Sequence, residues 1–436
     1  MTLITKIIRN TVLLQMLLCG AFTIAQNTST PEDIHQSVQT QTDLIFDELV
    51  KIRRDFHMHP EVSGEEKRTS AQIAAYLRDL GLEVKTGVGG YGVVGILDTG
   101  RPGKKIAWRA DIDAMPSSEP DVVDFASKNE GVRHICGHDI HTTVGMGIAN
   151  VLASQKEKLT GTIYFVFQPK EEINEGASAM IADGLFDLIQ PDEIYGLHVS
   201  PYPVGTIATK AANVFNHFTV VEITYKASNN QDAIVDFTKS LMANAQTYGP
   251  DHKFWDPNSV FSLKLGVTHP NTIFKDYDAL MHELNVKQTN DTLKMRILLN
   301  TSSKERLDAF LPMIKNKIET SAYAKDLLSV SYNLMPGLPV METPINDAAL
   351  TKASLKSITN VYGPQSVISL YGVPPFQFSD DFAYFQKEVP GVYYFLGVSN
   401  MEKGIAGMPH TPNFEADEEA IRTGVNYFSS MIIERL

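Results

Sequence analysis

The stretch from His134 to His141 reads His-Ile-Cys-Gly-His-Asp-Ile-His, which packs a thiol, imidazoles and a carboxylate into one short segment. Cys136 and His138 lie two apart, so an extended or turning backbone can point both side chains the same way. Asp139 and His141 are near enough to fix imidazole tautomers from behind. This spacing matches no zinc finger, so a metal reading depends on further ligands arriving from elsewhere in the chain.

Two carboxylate pairs and two more histidines supply them. Asp111 and Asp113 follow a short strand expected over 106–111, where a carboxylate can orient a ligand histidine or bind a metal directly. Asp113 is counted with Glu171 as a catalytic candidate. Glu171 and Glu172 close the apolar run Ile163-Tyr164-Phe165-Val166-Phe167. Adjacent side chains diverge, so one glutamate can ligate a metal while the other faces a substrate water. Like-charge crowding and burial would raise the second one towards the range of a general base. His198 ends a strand expected over 193–198, and His410 sits between Pro409 and Pro412. Together, Cys136, His138, Glu172, His198 and His410 are enough donors for two metals sharing a bridge.

An α/β sheet is what brings such segments together, because open sheets of this class place their sites at strand ends. Strands expected over 106–111, 161–167, 193–198 and 392–396 alternate with helices over 142–154, 176–182, 348–362, 380–386 and 417–435. A helix over 42–58 and a Gly-rich hairpin through Gly87 to Gly95 come earlier. Ser63-Gly64-Glu65-Glu66 reads as a capping box for a helix with Ile73, Leu77 and Leu80 on one face. Between 215 and 334 the texture changes. Strand 217–226, helix 231–245, strand 259–267, a strand over 280–286 or 293–300, a helix from 303 kinked at Pro312, and strand 328–334 give the ferredoxin-like order β-α-β-β-α-β. The expected fold is therefore α/β: a catalytic sheet with helices on its faces, in two halves (41–214 and 335–436), plus an inserted ferredoxin-like lid (215–334).

Residues 1–25 read as a signal peptide, with Lys6 and Arg9 before an apolar run and small residues near Ala25. Residues 26–40 read as a disordered linker. The expected location is secreted or periplasmic, with no membrane partner once the signal is removed. The net charge of −13 becomes more negative when Lys6 and Arg9 leave, which argues against nucleic acid or an anionic membrane as partner. Of the two cysteines, Cys19 falls in the signal, so Cys136 has no disulfide partner. A lone exported thiol is an oxidation liability, and its place among histidines suggests a thiolate ligand.

The ordered set Arg53-Arg54…His57…Pro60-Glu61, Arg109 to Pro116, Cys136 to His141, Gln168 to Glu172, Leu197-His198-Val199, Ser379-Asp380-Asp381-Phe382 and His410-Thr411-Pro412 resembles the M20 family of metallopeptidases and amidohydrolases. The similarity is to the branch holding hippurate and auxin-conjugate hydrolases. The resemblance implies two divalent metals, zinc or manganese with cobalt or nickel as alternatives, held by Cys136, His138, Glu172, His198 and His410. It implies Glu171 as base and a lid that mediates a homodimer. The implied reaction is hydrolysis of N-acyl amino acids or similar small amides. A dipeptidase or carboxypeptidase, or a catalytically weakened metal-containing binding protein, are the alternatives.

One departure stands out. Where the family has a Gly-Gly-His stretch after the first lid strand, this chain has Tyr225-Lys226-Ala227-Ser228-Asn229-Asn230-Gln231. The family's lid histidine helps stabilise the tetrahedral intermediate, so a substitute donor is expected. His217 and Asn229, with its neighbour Asn230, are the candidates. Arg296 is the expected clamp for a substrate carboxylate, since a guanidinium fork suits that geometry.

Overall fold

Long β-rich runs that are apolar on both faces can only be central strands of a sheet covered on both sides. The computed structural model describes residues 33–338, 340–375 and 379–436, and these runs form its central strands. Helices α1 (Ile34–Met58) and α2 (Lys67–Asp79) precede strands β1 (Glu83–Val88), β2 (Gly92–Asp98) and β3 (Lys105–Asp111). Helix α3 (His138–Ser154), β4 (Thr162–Gln168), α4 (Gly176–Ala182), β5 (Glu193–Pro203) and β6 (Ile207–Thr209) follow. After the lid come α7 (Ala348–Tyr362), β11 (Val367–Ser369), α8 (Phe382–Glu388), β12 (Gly391–Ser399) and α9 (Glu419–Arg435). The catalytic sheet has the order β1-β2-β4-β3-β5-β12-β6-β11, with β4, β3, β5 and β12 parallel. Alternate residues of each strand face opposite cores. Trp108, Phe165, Leu197 and Leu396 pack under α1, α2, α3 and α9, while Ala107, Val166, Ile194 and Phe395 pack under α4 and α8.

The lid comprises β7 (His217–Lys226), α5 (Gln231–Ala245), β8 (Asp278–Gln288), β9 (Thr292–Thr301), α6 (Lys304–Glu319) and β10 (Leu327–Tyr332). Its antiparallel sheet has the order β8-β9-β7-β10, and Ile223, Met295, Leu299, Phe310 and Ile314 build its separate core against the two helices. The expected α/β architecture with a β-α-β-β-α-β insert is thus what the chain forms.

Several expectations change. Residues 1–32, with the expected signal and the start of the linker, lie outside the described residues. The rest of that linker is not disordered: α1 starts at Ile34 rather than 42, with Asp33 Oδ1 accepting from His35 N at 3.1 Å. Residues 259–267 form no strand, and both 280–286 and 293–300 do. The helix expected from 303 is there, with Pro312 inside it. The capping box at Ser63 does not form. The carboxylate of Glu61 takes the α2 amides of Arg68 and Thr69 at 2.9 and 2.8 Å, which leaves Ser63 Oγ to donate to Asp113 at 2.6 Å. Among the described residues no helix is long and apolar enough to cross a membrane.

Candidate metal centre

Gly137 is the local device that lets Cys136 and His138 share a site. It caps α3 with φ 89°, a left-handed conformation that side chains resist, and a Cβ there would meet Val199 Cγ2 at 2.6 Å. The other ligand loops are also bent into the left-handed region. Lys170 (φ 59°) and Asn174 (φ 54°) bracket the two glutamates, and His410 itself has φ 59°. Non-glycine residues held this way cluster where a site demands a particular side-chain direction.

The five expected ligands converge. Cys136 Sγ lies 3.0 Å from both His198 Nε2 and His410 Nε2. Glu172 Oε1 lies 3.5 Å from His410 Nε2 and 3.7 Å from His138 Nε2. Two ligand groups share Cys136, one with His138 and His198, the other with Glu172 and His410. The tautomers suit ligation: His138 Nδ1 donates to the carbonyl of Asp113 at 2.8 Å and His198 Nδ1 to that of Val199 at 2.7 Å. Each ring thereby turns Nε2 inward as the free donor atom. His138 Nε2 and Glu172 Oε1 are buried without a hydrogen-bond partner, and buried polar atoms are seldom left so. A soft thiolate, three imidazoles and a carboxylate around such atoms fit divalent transition metals.

Electrostatics agree. Burial pushes the Cys136 thiol well up, and the carboxylates of Glu172 and Glu171 add to it, so the thiolate needs a cation. Burial opposes protonation of His138, but Asp111, Asp113 and Glu172 outweigh it and push that imidazole up to about 10. Burial takes His198 down to about 3. Burial would raise Glu172, yet nearby His410 and His138 bring it down to about 2. Metal binding at pH 7 is therefore expected to displace a proton from Cys136 and one from His138, about two protons for the five-ligand site as a whole. Calorimetry of zinc binding in buffers of different ionisation enthalpy measures this. Cys136→Ser should release about one fewer, and equal release from parent and variant would refute the thiolate assignment.

Glu171 emerges beside the ligands, 3.8 Å from His138 Nε2. Burial and then Asp380, Glu172 and Asp381 push its carboxyl well up. Behind it lies a network that the sequence reading left without a role. Buried Arg109 reaches Asp111 at 2.6 Å, Asp381 at 3.2 Å and Gln168 Oε1 at 2.8 Å, and Gln168 Nε2 donates to Asp381 at 2.6 Å. Tyr393 Oη donates to Asp380. Arg109, Gln168, Asp380 and Asp381 all stand in the motifs that carry the family resemblance, and a charged Arg109 inside an apolar strand was a further signal.

The remaining candidates fall elsewhere. His141 is satisfied, donating to Asp111 at 2.6 Å and accepting from Val199 N at 2.8 Å, so it orients rather than ligates. Asp113 does not line the cavity. Its Oδ2 accepts from Glu172 N at 3.0 Å and its carbonyl holds His138, so it positions ligands instead of acting on substrate. None of the lid candidates lines the cavity. His217 is buried and accepts from Asn213 Nδ2 at 2.8 Å, and burial lowers it to about 4; Phe215, two residues earlier, lines the cavity. Asn229 is exposed at the far end of β7, roughly 30 Å along the strand. Arg296 donates to the Asn333 carbonyl at 2.6 Å and pairs with Glu222 at 3.5 Å. Its fork is occupied within the lid.

The cavity over the ligands encloses about 420 Å³. Val199, Pro201, Phe215, Met341, Phe395 and Met408 give its lining an apolar part, and Glu171, Asn174, Ser200, Ser379 and Asp380 a polar one. No Lys or Arg is among its described lining residues.

Comparison with known proteins gives the same picture. A probable hydrolase of Synechocystis sp. is 33% identical, with 86% of this chain and 93% of the relative covered. The putative amidohydrolase YhaA of Bacillus subtilis is 29% identical over 92% of this chain and 98% of the relative. Among solved structures, the Bacillus subtilis YXEP protein, described as a dinuclear metal binding peptidase from the M20 family, superposes with a TM-score of 0.68 at 25% identity, covering 90% of this chain and 98% of that one. Residues 107–434, which contain every candidate ligand, match the description peptidase family M20/M25/M40, and the chain belongs to that family as a metal-dependent hydrolase.

Proposed function

We propose that this hydrolase cleaves the amide bond of N-acyl amino acids or similar small conjugates, using two divalent ions, zinc or manganese. The observation that carries the reading is Glu171, a buried carboxyl 3.8 Å from His138 Nε2, beside two ligand groups that share Cys136 and in the lining of a cavity rich in apolar residues. When bound, the ions lower the pKa of a water and polarise the scissile carbonyl. Glu171 takes the water's proton and hands it to the leaving amine. The wall of Phe215, Met341 and Phe395 receives the apolar acyl group and keeps solvent out. Export belongs to the same proposal and rests on the sequence of residues 1–25. So does a homodimer through the lid, for which the outer strand β8, at the sheet's edge, offers the pairing surface.

A panel of N-acyl amino acids and dipeptides, assayed with the zinc-loaded and manganese-loaded enzyme, tests this. Aromatic and long aliphatic acyl groups are expected to give kcat/KM about 10-fold or more above acetyl, since each buried methylene contributes about 0.8 kcal/mol. Faster cleavage of free dipeptides would favour a peptidase, and binding without cleavage a binding protein.

A further inference from the structure

The lid needs only β7, α5, β8, β9, α6 and β10 to complete its sheet and core, yet residues 246–277 intervene between α5 and β8. The two ends of this segment touch. Thr247 N donates to the Asp278 carbonyl at 2.8 Å, and Asp278 N donates to Thr247 Oγ1 at 2.8 Å. The chain leaves the lid and returns to the same point, so the excursion is not needed to span a distance. It packs on the catalytic domain. Phe254, Val260, Val267, Phe274 and Tyr277 are at most 5% exposed and share one core with Tyr202, Leu370 and Tyr393. Backbone bonds accompany this packing: the amides of Tyr371 and Gly372 donate to the Val267 carbonyl at 2.8 and 3.1 Å, and that of Val373 to Phe274 at 2.9 Å. Gly372 permits the approach, since a Cβ there would lie 3.0 Å from the Phe274 carbonyl. The same core contains Phe215 and Phe395, which wall the metal cavity.

We propose that residues 246–277 are a tether, a third attachment that holds the lid on the catalytic domain in one orientation and so fixes the cavity wall made by Phe215, Met341 and Phe395. A domain joined by two single-chain crossings is free to swing on them. Here the crossings are at Phe215 and near Met341. Side chains buried as deeply as a domain core, with backbone bonds to residues 371–373, remove that freedom. The tether lies on the chain's own lid and holds Tyr371, Gly372 and Val373 of the catalytic domain by their backbone amides.

The test places spin labels at Lys315→Cys on α6 and Asp79→Cys on α2, both exposed, in full-length protein labelled with zinc bound to shield Cys136. Double electron–electron resonance then measures the distance distribution with zinc and after chelation. One narrow distance, the same in both states, is expected. Replacing residues 248–277 by a short Gly-Ser turn should at least double its width. Val267→Asp, which puts a charge into the tether's contact, should do the same and keeps the test open should the excised chain fail to fold. A parent distribution as broad as the variants', variants as narrow as the parent, or a shift of the parent distance on adding zinc would each overturn the proposal. The readout needs no substrate, so it stands apart from the proposed reaction.

Discussion

Glu171→Gln is expected to keep its metal and lose turnover by about 10²–10⁴-fold, the usual effect of removing a general base. The amide is nearly isosteric, and Glu171 belongs to neither ligand group that shares Cys136. What disappears is the capacity to hold a proton between water and leaving amine. Glu172→Gln, one residue along, replaces an anionic ligand with a neutral one and is expected to lower metal content itself. Measuring bound metal and kcat in both variants separates the two roles. Equal metal loss would remove the base assignment for Glu171.

The second large effect is on stability. Arg109→Met removes the cation from a site where Asp111, Asp380 and Asp381 are all at most 2% exposed. Breaking a buried charge cluster by deleting one partner typically costs about 3–5 kcal/mol, a drop of about 3–6 °C in Tm for a chain of this size. The pH dependence distinguishes this from a simple packing loss. Burial and Asp380 push Asp381 up to about 7 even though Arg109 opposes them. Without Arg109 the Asp381 carboxyl rises further, so the folded state binds more protons than the unfolded one and stability falls as pH rises. The deficit against the parent should be smaller at pH 5 than at pH 8. A deficit that does not change with pH would assign the loss to volume rather than charge.

The ligands were legible because each is a chemically distinctive residue at the end of an apolar run or in a Pro- or Gly-marked loop, and because strand ends in this class of sheet converge. The network behind Glu171 was not, since Arg109 and Asp381 meet across 272 residues and their motifs do not say that they pair. The misread strand over 259–267 has a physical cause. Val260 and Val267 are apolar because they are buried in the catalytic domain, and short apolar runs look alike whether they sit in a strand or an irregular tether. Ser63 had the right spacing for a cap, but Asp113 offered its hydroxyl a better partner. Placing Arg296 at the substrate required knowing which face of the lid sheet turns inward, and a period of two says only that there are two faces.

The strand order β5-β12 also sets the sequence of events on the ribosome. Strand β12 is the central neighbour of β5, yet it is synthesised only after the whole lid, and Cys136 waits 274 residues for His410. The lid carries its own core and can fold meanwhile, while the edge of β5 stays unpaired and sticky. Metal cannot be captured by the full ligand set during synthesis. A nascent chain of this protein therefore needs protection at that edge until its last strand and last ligand emerge, and a truncated chain ending before β12 would aggregate rather than bind metal weakly.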